Sequence, residues 1–380
     1  MTTSETQEQV FTGYVDGRVR ARASWSTIAQ HDYLTPQDAW GDVERGNPLP
    51  YTLPPDQRLS VGLERETWQL EIVADAETNA EVATPLTRAS GTAIDFDQLL
   101  RLGAEHGVRI LKGVTCNNIG DPLGMGLWEG VPLRVLVWMA QPVSNIRRVF
   151  YYGYHNDDPV QIFRSSLPLG RVLEEPPGEL PVIVAYKLNG EFISGKRGGP
   201  VRLVVPEAYG FKSVKWLQRV VLTNTYGAND TYQEGNNDLD SPMKTFARFA
   251  EVPSEIRSGE KLEIAGIAQV GISGLKRVEY CVRPAPDAVE GSNGDWREVE
   301  VDPRPANLDT LGLTSEVQAS QWPLRYTFVR WRARLPALEP GEYQLRCRSV
   351  DLNGIAQPMP RPFPKSGRSE IQVLKLSVTA

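Results

Sequence analysis

The sequence predicts an α+β protein in which a mixed α/β domain is followed by an all-β sandwich. In the first two thirds of the 380-residue chain, short apolar runs typical of buried strands alternate with amphipathic segments typical of helices. Beyond Pro242, short stretches in which apolar and polar residues alternate are separated by turns, which favours a sandwich. The 29 prolines and 33 glycines also favour short strands and turns over long helices.

The first domain is predicted to span residues 31–240, after a polar N-terminal arm of residues 1–30. Residues 68–73 alternate apolar and polar side chains and predict a strand, and Asp95 is the predicted N-cap of a short amphipathic helix. Further strands are predicted at 108–111, 147–153 and 182–189, and helical segments at 131–140 and 166–173. Residues 223–241 are rich in Asn, Gly and Asp and are interpreted as a linker with turns.

The second domain is predicted to span residues 241–380 and to contain no long helix. Its predicted strands are 261–268, 277–282, 296–301, 327–333, 341–349 and 370–376. Cys281 and Cys347 lie on two of these strands, and we interpret both as packing residues without a chemical role.

Composition excludes several classes of function. A net charge of −6 argues against nucleic acid as a partner. No apolar run is long enough to span a bilayer, and the N-terminus lacks the apolar core of a signal peptide, which together predict a cytoplasmic protein. Three cysteines without zinc-type spacing argue against both a disulfide framework and a zinc site.

The first candidate site residue is Cys116. It follows a predicted strand and precedes a segment rich in Gly and Asn, which lets backbone approach a large ligand closely. A thiol in this position can supply one soft metal ligand. A single cysteine at a strand end is also commonly a small buried apolar residue, so the local pattern leaves both interpretations open.

The second candidate is the basic, glycine-rich loop of residues 195–206. Arg197 and Arg202, together with glycine N–H groups, have the donors needed to clamp a phosphate. Lys212 and Lys215 follow within an apolar frame and add positive charge. The alternative is a solvated basic rim, which is the commoner role of such residues.

The third candidate is His155, which lies in a predicted turn close to the presumed site and can reach a substrate there. The three histidines have no metal-ligand spacing, and the sequence contains no Ser-His-Asp order, HExxH, P-loop or GxGxxG motif. The residues by themselves therefore predict a mixed α/β domain with one suggestive cysteine, a candidate phosphate clamp and an appended sandwich.

Taken together, the motifs from about Leu34 to the end of the chain resemble the sulfite oxidase family of molybdopterin enzymes. The resemblance is carried by residues 115–124, 127–133, 166–169, 185–190, 198–206 and 210–217. The C-terminal strands resemble the immunoglobulin-like dimerisation domain of that family, which implies a homodimer.

The resemblance implies that residues 31–240 bind one molybdenum-molybdopterin, with Cys116 as the only protein thiolate on the metal. Arg197 stands where sulfite oxidases carry His and their relatives carry Asn. The resemblance assigns contacts with the pterin and its phosphate to Arg197, Arg202, Ser213 and Lys215, and Lys212 lies close by in sequence. It also implies an N-terminal pterin-binding stretch with Arg45 and Asn47. The bound metal would perform two-electron oxygen-atom transfer or its reverse.

Two departures from the family pattern bear on the substrate. Residues 117–121 carry no arginine where sulfite oxidases do, and Phe163 falls where the family has its active-site tyrosine. Because a small dianion needs a positive field, we expect an organic or sulfur-containing substrate other than sulfite. The sequence carries no haem domain, which implies a separate electron-transfer partner. The alternatives are sulfite oxidation after all, or a non-catalytic binding module that retains the fold.

Overall fold

The computed structural model describes residues 33–117, 122–154, 162–285 and 295–380, and the backbone of residues 10–15 and 18–24. A mixed α/β part is followed by an all-β part, which confirms the predicted fold class. The immunoglobulin-like character of the second part and the predicted domain boundaries stay predictions. None of the described helices is both long and apolar enough to cross a membrane.

Strands dominate the described secondary structure. The strands are β1 (Val10–Val15), β2 (Arg18–Ser24), β3 (Asp42–Val43), β4 (Gln69–Ala74), β5 (Ile94–Asp95), β6 (Val108–Thr115), β7 (Pro122–Pro132), β8 (Arg148–Gly153), β9 (Arg164–Pro168), β10 (Ile183–Leu188), β11 (Glu191–Phe192), β12 (Arg202–Val204), β13 (Leu217–Thr223), β14 (Phe246–Glu251), β15 (Glu255–Arg257), β16 (Glu263–Val270), β17 (Arg277–Pro284), β18 (Arg297–Glu298), β19 (Glu300–Val301), β20 (Thr327–Arg334), β21 (Gly341–Val350) and β22 (Gln372–Thr379). The α-helices are α1 (Pro55–Ser60), α2 (Phe96–His106), α3 (Leu133–Met139), α4 (Leu169–Leu173) and α5 (Glu316–Ser320).

Two larger sheets form the body of the first part. One has the order β11-β10-β7-β6, with β12 also paired to β10, and the other has the order β5-β4-β13-β8-β9. Their largest apolar cluster includes Trp68, Leu99, Leu136, Tyr151 and Val184. The predicted strands at 68–73, 147–153 and 182–189 correspond to β4, β8 and β10.

Helix α2 begins where its capping residue predicts. The Asp95 carboxylate accepts a hydrogen bond from the Gln98 N–H at 2.7 Å, which confirms the predicted N-cap. The two other predicted helical segments, 131–140 and 166–173, begin two or three residues later than predicted, as α3 and α4. Each starts directly after a proline, Pro132 or Pro168, because the residue before a proline is disfavoured in helical conformation.

Strand β7 occupies most of the glycine-containing segment that follows Cys116. Its glycines lie where neighbours approach too closely for a side chain. A Cβ on Gly124 would lie 2.2 Å from the Trp40 ring, and one on Gly126 would lie 2.4 Å from Leu188. These glycines therefore permit close packing along an eleven-residue strand. The glycine content of the segment alone suggested turns.

Residues 223–241 are also not a linker. Asp230 is 3% exposed and accepts hydrogen bonds from the hydroxyls of Ser165 and Ser166 and from Lys212. A carboxylate buried in this way needs such donors, and their positions fix the segment against β9. The stretch forms a wall of the first part of the molecule.

The second part consists of two sheets that enclose one apolar core. Their orders are β14-β16-β20-β19 and β15-β22-β21-β17-β18. All six predicted strands are present, and β14 and β15 are additional. Cys281 and Cys347 are buried with free thiols, and burial raises the pKa of Cys347 well above its ordinary range.

The backbone of the predicted N-terminal arm contains the antiparallel hairpin β1–β2. This hairpin continues into β3 through the pairs Ala21 with Val43 and Arg22 with Asp42. Part of the arm is therefore built into a small sheet whose last strand leads to the candidate site.

Candidate active site

A cavity that opens to solvent lies where β6 ends. Its lining includes residues from the stretch around β3, from the end of β6, from the basic loop and from a loop of the sandwich. Those used below are Trp40, Arg45, Cys116, Asn117, Phe163, Arg197, Arg202, Ser213, Lys215, Trp216, Tyr232, Asn237 and Lys365.

Cys116 presents its thiol to this cavity. It is the first residue after β6, is half-buried, and packs beside an apolar cluster that contains Val114 and Phe211. The described residues contain no group of three His, Cys, Asp or Glu side chains that could hold a metal ion. A single thiol suits a metal that brings other ligands with it, as a metal bound to an organic dithiolene does.

Arg197 and Arg202 lie side by side on one wall and are 3% and 5% exposed. The Arg197 guanidinium forms an ion pair with Asp42 and donates to the Gly41 carbonyl at 2.9 Å. The Arg202 guanidinium donates to the carbonyls of Arg197 at 2.8 Å and Ser213 at 2.7 Å. Within the described part of the chain, the buried Nε atoms of both arginines lack a hydrogen-bond partner.

These cations repel one another. Burial, and then the Arg197 charge, lower the pKa of Arg202 to about 9. Burial, followed by the charges of Arg202 and Arg197, lowers the pKa of Lys215 to about 7, against the opposing effect of Asp42. Two unpartnered buried donors beside a crowded set of cations fit an anion with several acceptor oxygens, such as the phosphate of a pterin cofactor.

Lys215 is expected to take up a proton when an anion binds here. An added negative charge opposes the effects that lower its pKa, so the lysine returns towards its ordinary value of 10.5. Sulfate remains a dianion near neutral pH. The affinity of the cofactor-free full chain for sulfate should therefore fall as the pH rises from about 6 to about 8. Isothermal titration calorimetry in buffers of different ionisation enthalpy measures both the affinity and the proton uptake.

The matched variant is Lys215→Met. It should bind sulfate more weakly and lose the pH dependence across this range, because the titrating group is gone. Equal sulfate affinity at the two pH values in the wild-type protein would show that Lys215 does not face the bound anion.

Another side of the cavity combines aromatic rings with positive charge. The ring centroids of Phe163 and Tyr232 are 6.2 Å apart, and the Arg45 guanidinium lies 4.4 Å and 4.9 Å from them. The ammonium of Lys365 lies 5.5 Å from the Tyr232 centroid. This side can hold an apolar body against the rings and an anionic group beside the cations.

Most of the predicted site residues meet in this cavity, and two others lie apart from it. Lys212 is fully buried in an ion pair with Asp230 at 2.8 Å, donates to the Ser166 carbonyl and does not line the cavity. Asn47 is exposed and also outside the lining, although its neighbour Gly46 contributes to it. His155 lies outside the described residues, and its predicted role stays a prediction.

Sequence reasoning missed several residues of the lining, three of them polar residues from unexpected parts of the chain. Tyr232 and Asn237 belong to the segment interpreted as a linker, and Lys365 lies in the loop between β21 and β22 of the sandwich. The Asn237 amide donates to the Tyr232 carbonyl at 2.6 Å, while its buried Oδ1 lacks a partner within the described residues. Two tyrosines within a polar stretch, Tyr226 and Tyr232, were the signal available for this wall.

The chain is similar to known oxidoreductases. Residues 62–231 match the family model of the oxidoreductase molybdopterin binding domain, a range that contains Cys116, Arg197, Arg202, Ser213 and Lys215. A nitrate reductase [NADPH] of Beauveria bassiana is 33% identical over 117 residues, which are 31% of this chain and 12% of that protein. The mitochondrial sulfite oxidase of Drosophila melanogaster is 30% identical over 118 residues, 31% of this chain and 20% of that protein.

The fold has a counterpart among solved structures. The sulfane dehydrogenase SoxCD from Paracoccus pantotrophus superimposes with a TM-score of 0.67 at 18% identity, over 97% of this chain and 88% of that chain. That likeness concerns the fold alone. In sequence, the chain spans a fifth or less of the length of the two curated relatives described above.

Proposed function

We propose that the chain, whose residues 62–231 match the oxidoreductase molybdopterin binding domain, is a redox enzyme of the sulfite oxidase type that binds one molybdopterin in this cavity. The reaction is two-electron oxygen-atom transfer, or a hydroxylation or reduction, on a small organic or sulfur-containing molecule. The observation that carries the proposal is the thiol of Cys116 facing the same cavity as the buried cations Arg197 and Arg202 and the half-buried Lys215.

Each part of the cavity has a proposed task. Cys116, as thiolate, is the protein ligand of the molybdenum. Arg197, Arg202 and Lys215 hold the phosphate of the pterin, and the Nε donors that lack partners among the described residues support this assignment. The cofactor supplies the oxygen-atom and electron chemistry when bound, while the protein binds and orients it and limits the access of water.

The proposed substrate carries an anionic group on an apolar body. Phe163 and Tyr232 offer apolar ring surface to the body, and Arg45, which stacks on both rings, and Lys365 offer positive charge to the anionic group. Phe163 brings no hydroxyl to the site, so the proposal excludes a proton-donating role for this side chain. We further propose a homodimer in the cytoplasm that exchanges electrons with a separate protein partner.

Replacing Lys365 with glutamine should weaken binding of an aromatic anion. The probes are benzenesulfonate and its uncharged analogue methyl phenyl sulfone, bound to the holoenzyme and followed through the fluorescence of Trp40 and Trp216 in the cavity wall. Lys365 is exposed, so its charge should contribute about 1 kcal/mol, or about fivefold in affinity for the sulfonate. Affinity for the uncharged sulfone should stay unchanged.

Lys375→Gln is the matched control, because Lys375 is an exposed lysine of the same sandwich that does not line the cavity. It should leave both affinities at their wild-type values. The substrate assignment fails if Lys365→Gln lowers the affinities for the sulfonate and the sulfone equally, or if both lysine variants behave alike.

Sulfite oxidation is the second candidate function, and the cations Arg45 and Lys365 favour it. Phe163 argues against sulfite oxidation, because sulfite oxidases have a tyrosine at this position. Turnover of sulfite with a dye as electron acceptor separates the two candidates. Rapid turnover of sulfite would show that sulfite is the substrate, and the proposed binding of the cofactor would stand.

A further inference from the structure

The strand that carries Cys116 is tied to the sandwich at every second residue. The Leu111 N–H donates to Oε1 of Gln318 at 2.9 Å, and the Leu111 carbonyl accepts from Nε2 of the same side chain at 2.8 Å. Two residues on, the Gly113 N–H donates to the Tyr326 carbonyl at 2.7 Å. Both partners belong to the C-terminal part of the chain.

The pattern continues past the end of β6. The Thr115 hydroxyl donates to Oε1 of Gln269 at 2.6 Å, and both side chains are fully buried. The Asn117 carbonyl accepts from the Gly367 N–H at 2.9 Å. Hydrogen bonds at four consecutive odd-numbered positions thus join the strand to the sandwich, and those at 115 and 117 flank the cysteine.

The residues between these ties face the other way. Ile110 and Val114 pack into the apolar cluster beside the cavity, and Cys116 lines the cavity itself. On the sandwich side, a Cβ on Gly113 would lie 2.4 Å from the Phe328 ring, so the backbone rests directly on that ring. Successive side chains of a strand point to opposite sides, so fixing the odd-numbered residues directs Cys116 towards the cavity.

We infer that the sandwich is a positioning element for Cys116, and that Thr115 and its partner Gln269 are positioning residues. Neither residue lines the cavity, so both act through the strand. A functional thiol must be held to within about 0.5 Å, and the bond next to it in sequence restrains it most directly. The sandwich holds the thiol in this position whether or not the chain binds molybdopterin.

The test compares Thr115→Val with Thr115→Ser in the full chain produced by a host that cannot make molybdopterin. Valine keeps the size of threonine but removes the hydroxyl that Gln269 needs, whereas serine retains it. The readout is the alkylation rate of Cys116 by iodoacetamide, and the other two cysteines are shielded, at 2% and 0% exposure. Thr115→Val should alkylate about fivefold faster, as expected when one buried hydrogen bond no longer opposes local opening, and Thr115→Ser should match the wild-type chain.

Thr327→Val is the matched control. Thr327 is also fully buried, and its hydroxyl donates to the Leu324 carbonyl within the sandwich. This control should lose stability without changing the alkylation rate. If Thr115→Val does not fold, Gln318→Met removes the tie at Leu111 and should also raise the rate.

In the holoenzyme, Thr115→Val should lower kcat with KM unchanged and shift the thiolate-to-metal charge-transfer absorption. Alkylation rates in Thr115→Val and Gln318→Met that equal the rate in Thr327→Val would overturn the inference. A wild-type chain that binds no molybdenum would contradict the proposed function, but the alkylation comparison would still decide this inference.

Discussion

Turnover is expected to disappear when Cys116 is replaced with serine, with a fall of at least about 10³-fold in kcat. A hydroxyl is a harder and far less acidic ligand than a thiol, so it does not replace the thiolate on a soft metal site. Steady-state assays with any substrate found for the wild-type enzyme measure the loss. X-ray absorption at the molybdenum edge should show one sulfur ligand fewer.

Cys281→Ala provides the matched control, because Cys281 is a free thiol that is 2% exposed within the sandwich. That variant should keep its turnover and its full set of sulfur ligands. An unchanged sulfur count in Cys116→Ser would remove Cys116 from the metal, however low its activity.

The second large effect is expected from Arg202→Met, which should lose the cofactor during purification. Methionine retains apolar bulk but removes a buried guanidinium whose Nε has no partner within the described residues. Losing the charge-assisted bonds to a phosphate should cost about 3 kcal/mol, or about 10²-fold in cofactor affinity. Pterin content after gel filtration, measured by fluorescence of the oxidised pterin, gives the result.

Arg171→Met controls for structural damage. Arg171 is a half-buried arginine that pairs with Glu207 at 2.7 Å and donates to the Leu180 carbonyl, away from the cavity lining. It should lose stability but retain its pterin. The phosphate clamp would be wrong if the two variants retained the same fraction of cofactor.

The parts of the site that local sequence patterns could predict are those built from contiguous residues. A strand followed by Cys116 and a glycine-rich loop with Arg197 and Arg202 each have a recognisable pattern, and the structure brings them to one cavity. The capped start of α2 at Asp95 is predictable for the same reason, since a cap acts within four residues.

The parts that the sequence could not predict depend on distant neighbours. Whether Gly124 lies in a turn or in a strand depends on the Trp40 ring that packs over it. Asp230 looks like a loop residue until Lys212 and Ser166 are placed beside it. These contacts join segments far apart in the sequence, and no local pattern records them.

The charge of the site likewise depends on residues that are distant in sequence. The absence of arginine directly after Cys116 suggested a site without a cation for the substrate, and residues 118–121 lie outside the described part of the chain. Arg45 and Lys365 nevertheless bring positive charge to the cavity from distant parts of the sequence. The electrostatic character of a site belongs to the folded chain, because charges within about a Debye length act together.

The most direct test of the central claim is the molybdenum and pterin content of the wild-type chain. The protein should be produced in a host that makes molybdopterin and analysed by inductively coupled plasma mass spectrometry together with pterin fluorescence. The proposal predicts about one molybdenum and about one pterin per chain. Protein that is folded yet contains neither would contradict the proposal and favour a binding module that has retained the fold without the chemistry.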